Sequence, residues 1–156
     1  MLSQSVKDAL NKSNDWPLAK NAVGDLVHKN MNCLKGNYKF SRDGGAVGDI
    51  NLKDQDGVGL LVVPSGAVIV NAIVHVTTAF TSGGAATIDL NSEAANDLLA
   101  AGAVASFSSN AKIQGIPDFG TLADAVITTA ARTLSLSVNV AALTEGEANV
   151  YVFYVF

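Results

Sequence analysis

Two imidazoles, His28 and His75, and one thiol, Cys33, are all that 156 residues offer for base or soft-nucleophile chemistry. A serine or cysteine hydrolase needs its nucleophile beside a positioned base, and that supply is thin. His75 stands next to Val74 and Val76 in an alternating run, where it reads as a sheet or interface histidine. His28 and Cys33 are five residues apart, but two donors do not make a zinc site, and Cys33 reads as a packed thiol. A single cysteine also excludes an intrachain disulfide.

Oxygen ligands gather at Asp49, Asn51, Asp54 and Asp56, just before Gly57, in the manner of a calcium loop. Leu52 then occupies a ligand position and Val63 stands near the closing one, so these acids read as turn formers. Gly57-Val58-Gly59 lacks the third glycine and the helix of a dinucleotide site, and no phosphate-loop motif occurs. Lys7, Lys12, Lys20, Lys29, Lys35, Lys39 and Arg42 are spread singly, and the acidic remainder weighs against nucleic acid. No catalytic, cofactor-binding or metal residue is assigned, and the chain is read as non-enzymatic.

The elements that would carry these groups are mostly strands. Tyr38 and Phe40 lie in a short aromatic strand that ends at Asp43-Gly44-Gly45, and Val58 to Val63 reads as a short buried strand closed by Pro64-Ser65-Gly66. Ala67 to Phe80 alternates over its whole length. Val68, Val70, Ala72, Val74 and Val76 are expected on one face, with Ile69, Asn71, Ile73, His75 and Thr77 on the other. Ala86, Ile88 and Leu90 resume the alternation. A short helix is expected over Glu93 to Ala101, capped by Asn91 or Ser92, and Ser106 to Asp118 reads as connecting structure. Residues 119 to 131 stay ambiguous between strand and turn. Thr133 to Val140 and Asn149 to Phe156 close the set, the latter apolar or aromatic on both faces, which predicts that the final residues are buried. Short turns and no regular helix alternation predict an all-β antiparallel sandwich or jelly-roll-like barrel with one short inserted helix. Residues 1–36 read as an arm, partly helical or extended, and residues 37–156 as the β-sandwich domain.

Hydrophobic residues make up 49% of the chain and charged residues 15%, well under the roughly one quarter of ordinary soluble domains, so part of the surface is expected to be covered. No apolar run approaches a membrane span, and no secretory leader is read at the start, which predicts cytoplasmic synthesis without membrane association. Residues 1–42 hold seven Lys/Arg against three Asp, while residues 43–156 hold three against eleven Asp/Glu. That split allows a basic arm to dock on an acidic surface, or a solvated leader.

The run YKFSRDGGAVGDINL, then VPSGAVIVNAIVHVTTAFTSGGAATIDL, then AALTEGEANVYVFYVF resembles the small virion proteins of tailed bacteriophages known as capsid decoration or cement proteins. The matching elements are Tyr38, Phe40, Asp43 to Gly45, Pro64 to Ala67, Ala142 to Gly146 and Tyr151 to Tyr154, and they span residues 38–156. The resemblance implies a β-sandwich that associates with itself as a homotrimer on the outer capsid surface of the virion, with the major capsid protein as partner and no cofactor. On that reading Trp16, Leu18 and Val27 are the arm's contacts to the shell or a neighbour, and Tyr151, Phe153 and Val155 form the subunit interface. A tail, neck or fibre-associated module that binds a host surface carbohydrate is the alternative.

Overall fold

The computed structural model describes residues 31–115 and 126–156. Trp16, Leu18, Val27, His28 and the rest of residues 1–30 lie outside it, as does the stretch 116–125. The compact unit Cys33–Phe156 is all-β and sandwich-like, as the alternation predicts.

The unit is organised around one long antiparallel pair, β5 (Val68–Ser82) and β12 (Leu143–Val155). β1 (Asn32–Lys39) lies beside β12, and the two-residue β3 (Lys53–Asp54) forms the edge beyond it. β8 (Lys112–Gln114) and β9 (Val126–Ile127) flank the other side of β5, completing a six-stranded sheet. A four-stranded sheet runs in the order β2 (Gly48–Asn51), β11 (Ser135–Asn139), β6 (Thr87–Asn91), β7 (Leu99–Ala103). β4 (Val62–Val63) and β10 (Arg132–Thr133) make a small ribbon.

Alternation decides which side chains enter the core. Val74, Val76, Val150 and Val152 come from the large sheet, and Ile88, Leu90, Leu136 and Val138 from the small one, all buried. Tyr38 stacks on Phe80 with ring centroids 5.4 Å apart, and Phe80 meets Phe107 at the same spacing. Gly146 is required there: its φ is +145°, and a Cβ would sit 2.7 Å from the Phe80 ring.

The expected face of β5 breaks at one residue. Ile69, not Val68, is buried, because Phe153 pairs with Asn71 while Tyr154 pairs with Ile69, leaving Val70 as an extra residue. Such a bulge shifts the period-two pattern by one and turns every side chain before it to the other face. β12 starts earlier than Asn149, and its end is not buried: Tyr154 is covered but Phe156 is 71% exposed.

The one α-helix among the described residues is α1 (Phe40–Asp43), not Glu93 to Ala101; a single 3-10 turn, Val104–Ser106, follows the latter segment. In the latter segment Asp97 accepts backbone N–H groups from Ser92, Glu93 and Ala94, and Asn91 Oδ1 accepts that of Asn96, folding the chain into a tight loop before β7 begins. Side-chain oxygens that capture nearby amides compete directly with helix hydrogen bonds. Val58 to Val63 is likewise only half a strand: Leu61 and Val63 are buried, whereas Val58, Leu60 and Val62 face out. Strand also occurs where connection was expected, at β8, and the ambiguous stretch supplies β9.

The sheets meet at three leucines. Leu52 N–H donates to Leu134 C=O (2.9 Å), Leu134 N–H to Leu61 C=O (2.8 Å), and Leu61 N–H to Leu52 C=O (2.9 Å), closing a ring of backbone bonds. Leu52 is where β2 leaves the small sheet and β3 joins the large one; Leu134 is where β10 becomes β11. Their side chains are at most 4% exposed. Leu134→Ala should cost about 2–5 kcal/mol in urea unfolding, as expected for a deeply buried leucine. Val140, by contrast, is 75% exposed and held at φ +71°, a strained conformation for a β-branched residue. Val140→Gly should raise the same unfolding free energy by about 1 kcal/mol; a loss there would show that the residue is not strained.

Candidate interaction surfaces

The two outer faces of the unit differ in chemistry because the two sheets alternate differently. On β2, β11 and β6 of the small sheet the outward residues are polar, and β7 adds alanines. Ser137 on β11 stands opposite Asp49 of β2 on one side and Asp89 of β6 on the other; Ser135 stands opposite Asn51 and Asn91 in the same way. Asn91 Nδ2 donates to Ser137 Oγ, which donates in turn to Asp49, while Asn139 Nδ2 donates to Asp89. Across from Asp89, β7 carries two residues, Ala100 and Ala101, against one, and this bulge aims the Ala101 N–H at the Asp89 carboxylate. The result is a cleft of about 640 Å³ walled by the loop after Asn91.

That loop is fastened from outside. Glu93 accepts two hydrogen bonds from the Arg132 guanidinium at 2.8 Å, and others from the Thr129 hydroxyl and N–H. Arg132 first, then Thr129, holds the Glu93 carboxyl down at about 2. His75 is on the outer face of the other sheet, so Ser137 has no imidazole beside it among the described residues. No group of three His, Cys, Asp or Glu among the described residues is placed to hold a metal ion. The arrangement can hydrogen-bond and can attract cations.

The outer face of the large sheet is apolar at its centre and cationic at its borders. Tyr151 lies opposite Ile73, Phe153 opposite Asn71, and Val155 opposite Val68, all half-buried. The three residues predicted as a subunit interface therefore share one face. Val68 is also paired with Ile127, 54% exposed, which extends the apolar belt onto β9. His75 sits between Asn149 and Lys112, and Lys35 Nζ lies 5.4 Å from the Tyr151 ring centroid, in cation–π reach. Cys33 is exposed on β1 instead of packed.

The edge beside β3 is a third surface, where Asp54 acts as a turn former. Asp54 folds its own turn by accepting the N–H groups of Val58 and Gly59, each at 3.0 Å, and these bonds hold its carboxyl below the ordinary range. Val58, at the tip, is 85% exposed. At the far end of β1 the Tyr38 hydroxyl donates to Gly44 C=O, and burial first, the Asp43 charge second, pushes its pKa up to about 12. Burial opposes the Asp43 carboxylate, but Arg42, the Lys39 N–H and Lys53 together hold its pKa below normal.

Part of the positive charge counted over residues 1–42 belongs to the β unit, and residues 32–36, read with the arm, lie in β1. Lys35 and Lys39 are on β1 and Arg42 on α1, so residues 1–30 keep Lys7, Lys12, Lys20 and Lys29 against Asp8, Asp15 and Asp25. Sequence reasoning missed the polar cleft because its residues come from β2, β6 and β11; the signal was the run of Ser and Asn between the core residues of Thr133 to Val140.

No protein-family model matches the chain, and no curated protein matches it. Solved structures do share its fold. A chain of the Cyanophage Pam1 capsid asymmetric unit aligns with a TM-score of 0.55 at 18% identity, covering 81% of this chain and 85% of that one. A chain of the acidic stable capsid structure of Helicobacter pylori bacteriophage KHP30 aligns at 0.52 and 17% identity, covering 81% and 87%. A chain of the capsid of Ralstonia phage GP4 aligns at 0.52 and 18% identity, covering 80% and 83%.

The Glu93 clasp carries a pH signature. Because the folded-state pKa of about 2 is below the ordinary 4.5, its stabilisation is full above about 4.5 and is lost as pH falls through about 2. Thermal melts from neutral to strongly acidic pH should show a larger loss in the native chain than in Glu93→Gln, which keeps only the acid-labile contributions of Asp43 and Asp54; identical pH profiles would remove the assignment.

Proposed function

We propose that this chain is a virion structural protein that decorates and reinforces the outer capsid shell by non-covalent packing, without catalysis. The observation that carries the reading is the outer face of β5 and β12, where Ile73, Tyr151, Phe153 and Val155 lie together on a sheet surface that a lone soluble domain would keep polar. A fold shared with chains from three phage capsid structures supports the particle as the setting. The partners on this reading are the major capsid protein and further copies of the chain, as a trimer.

Decoration of this kind works through symmetry. A contact too weak to hold one copy becomes strong when an oligomer engages several shell subunits at once, since each later contact is made at high effective concentration. Apolar surface from Tyr151 and Phe153 supplies the contact between copies, and residues 1–30 supply a reach beyond the sandwich through Trp16, Leu18 and Val27.

β1 begins at Asn32, so a deletion that ends at residue 30 leaves the sheet uncut. Such a truncation should fold and oligomerise as the full chain does but lose binding to shells assembled from the capsid protein, read by co-sedimentation. Undiminished binding would eliminate the arm from the mechanism. Phe153→Ala should dissociate oligomers in sedimentation velocity while shifting the melting temperature little; the reverse pattern would place Phe153 in the core instead of the interface.

A further inference from the structure

Val58 at 85% and Leu60 at 51% exposure are the apolar tip of a loop that is otherwise built to be rigid. Besides the two bonds to the Asp54 carboxylate, Asp54 N–H donates to Gly59 C=O at 2.8 Å and Gly57 N–H to Asp54 C=O at 3.0 Å. The Arg42 guanidinium packs over Gly57 so closely that a Cβ there would fall 2.3 Å from it. A loop fixed in this way loses little entropy when it docks, which is the property of an anchor. Asp56, exposed beside Val58, gives the tip a negative charge.

The outer face of the six-stranded sheet has the complementary character. Ile73, Tyr151 and Phe153 form its centre, with Lys35 on one side and Lys112 on the other; Lys112 makes no ion pair among the described residues. Docking this face on the same face of another copy would bring lysines toward lysines, an arrangement that like-charge repulsion disfavours. An acidic, apolar-tipped partner suits it.

We propose that the Asp54–Leu60 loop of one copy docks on the outer face of the six-stranded sheet of the next, so that copies join edge to face. The inference rests on the self-packing reading above and specifies its geometry. The contact is heterologous, joining two different patches. Since β3 is the sheet's edge strand, the loop that follows it and the face it docks on look in roughly perpendicular directions, so each added copy turns. A turning heterologous contact closes into a ring when its rotation divides a full turn and otherwise winds into a helix, whereas stacking face on opposite face would run on straight.

The test uses the full chain in sedimentation velocity over a concentration series, with an anchor variant (Asp56→Lys with Val58→Ser) and a socket variant (Lys112→Glu with Phe153→Ser). Each alone should associate at least about tenfold more weakly than the native chain. Mixed together they should form dimers and stop, because one intact anchor and one intact socket remain in each pair; a face-to-face contact gives no such recovery. Asp56→Lys and Lys112→Glu combined in one chain should restore the native assembly, which decides the matter even if the socket variant melts early. Native-like association by the anchor variant, or no rescue by the charge swap, overturns the edge-to-face contact and leaves self-packing standing. A native chain that stays monomeric throughout overturns both.

Discussion

Three backbone hydrogen bonds, passed in a ring among Leu52, Leu61 and Leu134, fix where this chain changes sheets. A strand that leaves one sheet for another must abandon its ladder partners, and a buried amide left without a partner costs about 1–3 kcal/mol. Here each leucine supplies what the next has lost, so β2 can continue as β3 and β10 as β11 with the junction fully buried. The two sheets are thereby held together through their backbones as well as through side-chain packing. The outward faces of β2 and β11, and so the polar cleft, inherit their positions from that junction, as does the edge loop that starts at β3.

The legible part of the sequence was whatever obeys period two without interruption. Leu134, Leu136 and Val138 against Ser135, Ser137 and Asn139, or Val150 and Val152 against Tyr151 and Phe153, announce their faces directly, and the all-β class follows from them. What escaped reading depends on partners remote in sequence. Val70 looks like any other member of its alternating run, and only its pairing with β12 makes it the extra residue. The Ala-rich stretch after Asn91 has the composition of a helix, but Asp97 and Asn91 claim its amides, and Glu93 is held by Arg132 thirty-nine positions away. Lys35 read as part of the arm, and β1 takes it into the sheet.

The two faces also explain how one small domain can be poor in charge and still be specific. The acids of the small sheet are engaged inward, by Asn139, Ser137 and the Ala101 amide, and present a hydrogen-bonding surface of fixed pattern. The large sheet turns aromatic and aliphatic groups outward between cations. Surfaces so unlike cannot substitute for one another in a contact.

The place of β12 between β1 and β5 has a consequence for the making of the protein. β12 follows every other described strand yet lies inside the large sheet, so β1 and β5 wait for it with open edges, and most contacts of the fold are long in sequence. Loop closure over such distances slows folding and lengthens the life of sticky intermediates. The outer face of the large sheet is accordingly completed only with β12, which carries Tyr151, Phe153 and Val155.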